Sequence, residues 1–74
     1  MAYTLTFNFE NKDKEFVVNK IEDVAFLPSR IAKKFFLVES SISFEIEDEG
    51  KTKDVDLDYI KQHPSQKYYV CGSN

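Results

Sequence analysis

A chain of 74 residues has room for one domain, and its single cysteine, Cys71, excludes an internal disulfide. The formal net charge of −3 hides a polarised chain: between Glu45 and Asp58 seven acids face only Lys51 and Lys53, a local balance of −5. A surface of that sign repels nucleic acid and anionic membrane, which leaves a protein with a basic surface as the expected partner class.

Tyr3 to Phe9 alternates strictly, with Tyr3, Leu5, Phe7 and Phe9 on one side and Thr4, Thr6 and Asn8 on the other. That period of two predicts a half-buried strand. Asn11-Lys12-Asp13 supplies turn chemistry, and Glu15 to Asn19 resumes strand character, so the two runs predict a hairpin. From Ile21 to Val38 apolar residues recur at intervals of three and four, which is helix spacing. Pro28 interrupts the pattern, and proline is tolerated only in the first turn of a helix. The expectation is a short helical turn over 21–26 followed by a helix from about Pro28 to Leu37. Arg30, Lys33 and Lys34 would then form a basic, solvent-facing patch, with Phe35 and Phe36 packed into the core.

Ser41 to Glu47 returns to alternation, with Ile42, Phe44 and Ile46 inward and Ser43, Glu45 and Glu47 outward. Asp48-Glu49-Gly50-Lys51 reads as a turn in which Gly50 can take a positive φ. Asp54-Val55-Asp56-Leu57-Asp58 alternates again and predicts a short or edge strand, followed by one helical turn over 59–63 that ends before Pro64. Lys67 to Cys71 predicts a final strand, with residues 72–74 frayed. Seven Phe and four Tyr furnish the core of so short a chain with large apolar surfaces.

The predicted class is α+β: a sheet of four to five strands on one broken helix, in the order ββαβ(β)β, as a single domain over 1–74. That order is similar to the β-grasp of ubiquitin-like domains, down to a helical turn (Asp56 to Pro64) between the last two strands. The chain reads Cys71-Gly72-Ser73-Asn74 where ubiquitin-like modifiers carry Gly-Gly, which counts against a conjugation role. The hairpin followed by FLPSRIAKKF and SISFEIED also resembles the opening of a BTB/Skp1-type domain, which implies further helices after the third strand.

Asp54, Asp56 and Asp58 stand at alternate positions, as oxygen ligands do at the start of a calcium loop. The sixth position of that loop would be Tyr59 instead of glycine and the twelfth Ser65 instead of glutamate, so a solvated strand face is the better reading. His63 and Cys71 are the one nucleophile–base pair by residue type, without a motif to join them. Gly50 and Gly72 stand alone, so no glycine-rich phosphate loop exists. The expectations are no enzymatic activity, no cofactor and no metal. The longest apolar run, Phe35 to Val38, is far below the ~20 residues that span a bilayer, and no leader pattern is visible, which predicts a cytoplasmic protein.

Function is therefore expected in recognition. The residues expected to meet a partner are Glu45, Glu47, Asp54, Asp56 and Tyr69, an acidic strand-and-turn surface with an exposed aromatic anchor. Solvation alone would also explain the carboxylates. A second reading is a small acidic inhibitor that imitates nucleic acid and blocks a DNA- or RNA-binding protein, as phage counter-defence proteins do. An exposed strand, 54–58 or 67–71, would also allow a homodimer.

Overall fold

The computed structural model describes residues 2–74. Two strands open the chain, β1 (Tyr3–Phe9) and β2 (Lys12–Val18), and Phe9 pairs directly with Lys12. The turn between them is Glu10-Asn11, with φ of 51° and 66°, so both residues take the left-handed conformation that a tight two-residue hairpin demands. Lys12 and Asp13, expected in the turn, are already strand. A 3-10 helix over Ile21–Phe26 leads into α1 (Leu27–Phe35), with Pro28 in its first turn, and Val24, Leu27, Ile31 and Ala32 face the sheet.

A 3-10 turn over Glu39–Ser41 leads to β3 (Ser43–Asp48), which is joined to β4 (Lys51–Val55) by a second tight turn, Glu49-Gly50, again with positive φ at both positions. The helix α2 (Leu57–Gln62) follows, then β5 (Lys67–Cys71). The strand expected over 54–58 therefore ends at Val55. Asp56 leaves it because its carboxylate accepts the Tyr59 N–H at 2.9 Å and caps α2, a helix longer than the single turn expected over 59–63.

The strands of residues 2–74 form one mixed sheet in the order β2-β1-β5-β3-β4, parallel between β1 and β5 and antiparallel elsewhere. Both helices lie against the same side, and the fold is a ubiquitin-like β-grasp. Where the BTB/Skp1 resemblance implied further helices after the third strand, the described chain has β4, the short α2 and β5, and the two strands complete the sheet. Because β5 is central, with both edges bonded, pairing of 67–71 across a two-fold is closed; the open edges are β2 and β4.

Between the layers Phe7 sits 5.5–5.7 Å from Phe16, Phe44 and Tyr68, ring centre to ring centre. Offset and edge contacts of this kind contribute ~0.5–1.5 kcal/mol each beyond their area. Leu5, Ile31, Ile60, Val70 and Ile46 complete the core. The Tyr68 hydroxyl donates to the His63 carbonyl, so the largest buried side chain leaves no unsatisfied polar atom. Phe35 packs on Phe9 with centroids 5.2 Å apart, whereas Phe36, expected in the core, is 81% exposed. It follows the last residue of α1 in a left-handed conformation (φ 59°), which turns its side chain away from the sheet. Ser73, expected to be loose, is held: its carbonyl accepts the Val38 N–H at 2.8 Å and its N–H donates to the Ser41 hydroxyl at 2.9 Å.

The molecule measures 31 × 30 × 19 Å, a slab two layers thick. One side of the sheet is thus covered by helices and the other has no cover.

The open sheet face as candidate docking site

Side chains of a strand point alternately to the two sides of its sheet, so the register decides what the open side carries. In β1 it carries Thr4, Thr6 and Asn8, opposite Val17, Glu15 and Asp13 of β2. Lys67, Tyr69 and Cys71 follow from β5, with Ser43, Glu45 and Glu47 from β3 and Thr52 and Asp54 from β4. Five carboxylates (Asp13, Glu15, Glu45, Glu47, Asp54) stand against Lys67, a balance of −4 on this face. Lys51 and Lys53, which dilute the acidic stretch in the linear sequence, have the opposite parity and leave the open side.

The two halves of the face differ. On the β1–β2 half, Asp13 accepts from the Asn8 amide at 2.7 Å and pairs with Lys67 at 3.2 Å. The Asn8 and Lys67 contacts together hold its carboxyl below the usual carboxylate range. The Lys67 ammonium also stands 5.4 Å from the centre of the Tyr69 ring. On the β3–β4 half, Glu45 lies directly between Asp54 on one side and Tyr69 on the other. Among the described residues no lysine or arginine pairs with Glu45, Glu47 or Asp54. Two carboxylates directly opposite on neighbouring strands repel, at ~0.2–1 kcal/mol.

Between these halves lies a shallow depression of about 270 Å³, whose lining includes Asn8, Glu45, Glu47, Thr52, Tyr69 and Cys71. The Cys71 thiol donates to a Glu45 carboxylate oxygen at 3.3 Å. Partial burial first, and then the bond to Glu45, push its pKa above the ordinary value, so the thiol stays protonated and weakly nucleophilic at neutral pH. His63 has a different neighbourhood, its ring tilted against Tyr59 with centroids 4.4 Å apart. No group of three His, Cys, Asp or Glu side chains among the described residues converges as a metal site, and no described helix is long and apolar enough to cross a membrane.

Of the five residues expected to meet a partner, the structure brings Glu45, Glu47, Asp54 and Tyr69 together on the open face. Asp56 stands beyond the end of β4 with its carboxylate engaged by α2. Asn8, Asp13, Lys67 and Cys71 share the face and were not among the expected residues. The parity of Asn8, Lys67 and Cys71 is visible in the sequence, whereas Asp13 was expected in the turn, and the proximity of all four to Glu45 depends on strand order, which has no local signal.

No protein-family model matches the chain, and no curated protein matches it. Among solved structures it is similar to the AtNBR1-PB1 domain, with 17% identical residues and a TM-score of 0.68, over 97% of this chain and 98% of that one. At that identity the likeness bears on the fold.

Proposed function

We propose that this domain is a non-enzymatic protein–protein interaction module that docks a basic protein surface on its open sheet face. Glu45, Glu47 and Asp54 would receive the cations, and Tyr69 would supply the apolar contact. The observation that carries this reading is the segregation of charge by strand parity. Among the described residues it leaves four carboxylates, Glu15, Glu45, Glu47 and Asp54, without an ion pair on an uncovered face, and Glu45 and Asp54 stand directly opposite each other at a cost in stability. Tyrosine beside carboxylates suits recognition, since it offers large area at low entropic cost. The fold-level likeness to the AtNBR1-PB1 domain supports an interaction role. A protonated Cys71 and the separate surroundings of His63 speak against nucleophilic catalysis.

The test is affinity capture from cells of the native host with the wild-type chain and with Glu45, Glu47 and Asp54 changed together to Lys. Partners retained by the wild type should be lost by the variant. Retention by both would remove the open face from the function. Repeating the capture with competing DNA or RNA separates docking from nucleic-acid mimicry: competition would favour the inhibitor reading.

A further inference from the structure

A second concavity, of about 250 Å³, lies at the hairpin end of the molecule on the helix side, where Phe9, Phe35 and Phe36 meet Lys12, Lys14 and Lys34. We propose that it is a separate docking site for an acidic segment of a partner protein that carries an apolar side chain among its carboxylates. The proposal does not rest on the role of the open face.

The sequence builds this site in two steps. Lys12 and Lys14 pair with Phe9 and Phe7, so parity sends them to the helix-covered side of β2. There α1 ends at Phe35 and reaches only as far as Phe9, while its Arg30 is engaged further along β2, over the Phe16 ring and on the Val17 carbonyl at 2.9 Å. The two lysines are thus left uncovered beside Lys34 of the last helical turn. Among the described residues none of the three forms an ion pair. Glu10 at the rim is the one acid against them, so the site keeps a positive balance.

Phe36 is the second observation. Leu37 N–H bonds to the Ala32 carbonyl at 2.9 Å, the closure of a helix that ordinarily places glycine or asparagine at the left-handed position. Phenylalanine is held there instead, at φ 59° and 81% exposed, against steric preference and away from the core. A large exposed ring in a strained conformation, edging a basic concavity, is the arrangement of a binding anchor. The partner's charge follows from the lysines, and its apolar residue from the three rings. The concave shape favours a peptide side chain over a flat bilayer.

Fluorescence anisotropy with the full chain tests the site, using a labelled peptide of Glu, Asp and Gly with one central Phe. The expected result is saturable binding, weakened about tenfold or more when the peptide Phe is replaced by Gly. In the protein, Phe36→Gly should raise the thermal unfolding midpoint, because it removes the left-handed strain, and yet weaken binding about tenfold or more. Lys34→Glu should weaken it too. No binding, equal binding of the peptide without Phe, or unchanged affinity of Phe36→Gly would overturn the proposal. Two other occupants are distinguished by the same variant. Phe36-dependent self-association in sedimentation runs without peptide would assign the pocket to a second copy. Phe36-dependent binding to phosphatidylcholine–phosphatidylserine vesicles would assign it to a membrane, and either result overturns the proposal.

Discussion

Reversing the charge of Asp54 separates stability from docking. Asp54 stands directly opposite Glu45 on the open face, and no described cation neutralises either residue. A like-charge pair in that position costs ~0.2–1 kcal/mol and an opposite-charge pair contributes a similar amount. Asp54→Lys therefore exchanges repulsion for attraction, with an expected gain of about 1 kcal/mol once solvent screening of the exposed Asp54 is allowed for. For a domain of this size that corresponds to a rise of ~4–8 °C in the unfolding midpoint. The rise should be largest at low salt and shrink in 1 M salt, where the Debye length falls to ~3 Å. Thermal unfolding followed by circular dichroism at the two salt concentrations measures it. A linked readout is Cys71, whose pKa is raised by burial first, then by Glu45 and, least, by Asp54, so the variant should titrate its thiol at lower pH than the wild type. Docking of a basic partner should weaken in the same protein that has become more stable. If Asp54→Lys lowers the midpoint, or raises it equally in high salt, the charge argument for this face fails.

Asp56→Ala should cost about 1 kcal/mol, read by chemical denaturation, because the Tyr59 N–H loses its cap, while docking on the open face is unchanged. Lost docking without lost stability would return Asp56 to the binding surface. Glu49→Asn creates Asn-Gly at a turn where both residues have positive φ, and should raise stability by ~0.5–1 kcal/mol in the same assay. Burial raises the Tyr68 phenol to about 12 from the ordinary value of 10.0, so above pH 10 the unfolded chain loses this proton first. The corresponding stability is complete below pH 10 and lost as pH rises towards 12. Denaturation across that range should show a weaker alkaline loss in Tyr68→Phe than in the wild type.

What could be read from the residues divides along the range of the physical interaction. Periods of two and of three to four are local, so the inward faces of β1, β3 and β5, the Phe16 and Val18 face of β2, and the buried face of α1 with its Pro28 start follow from the sequence. Asp54 to Asp58 misleads because Asp-Val-Asp-Leu-Asp has the period of a strand, while Asp56 is also a good first cap for Leu57 to Gln62. The carboxylate hydrogen bond to Tyr59 decides the matter, and alternation does not report it. Phe36 misleads for a related reason: apolar spacing places it near the core, but a chain that must leave α1 through a left-handed residue turns it outward. Strand order is the least visible feature, because hydrogen bonds between distant segments create it. Only with β5 inserted between β1 and β3 does Tyr69 join Glu45 and Asn8 on one surface.

That insertion also changes what the net charge means. Strand parity sends Glu45, Glu47 and Asp54 to the open side while Lys51, Lys53, Lys12 and Lys14 take the other parity, so the strands display mainly opposite signs on the two sides of the sheet. With a Debye length of about 10 Å at 0.1 M salt, a partner docked on one side is governed mainly by the charges of that side. A formal charge of −3 averages two surfaces that would select partners of opposite sign. Charge reversals on one side should therefore leave binding at the other nearly intact. A double variant carrying Asp54→Lys and Lys34→Glu restores the net charge and should still bind both partners more weakly. Recovery of either would mean that overall charge, and not the face that bears it, governs recognition.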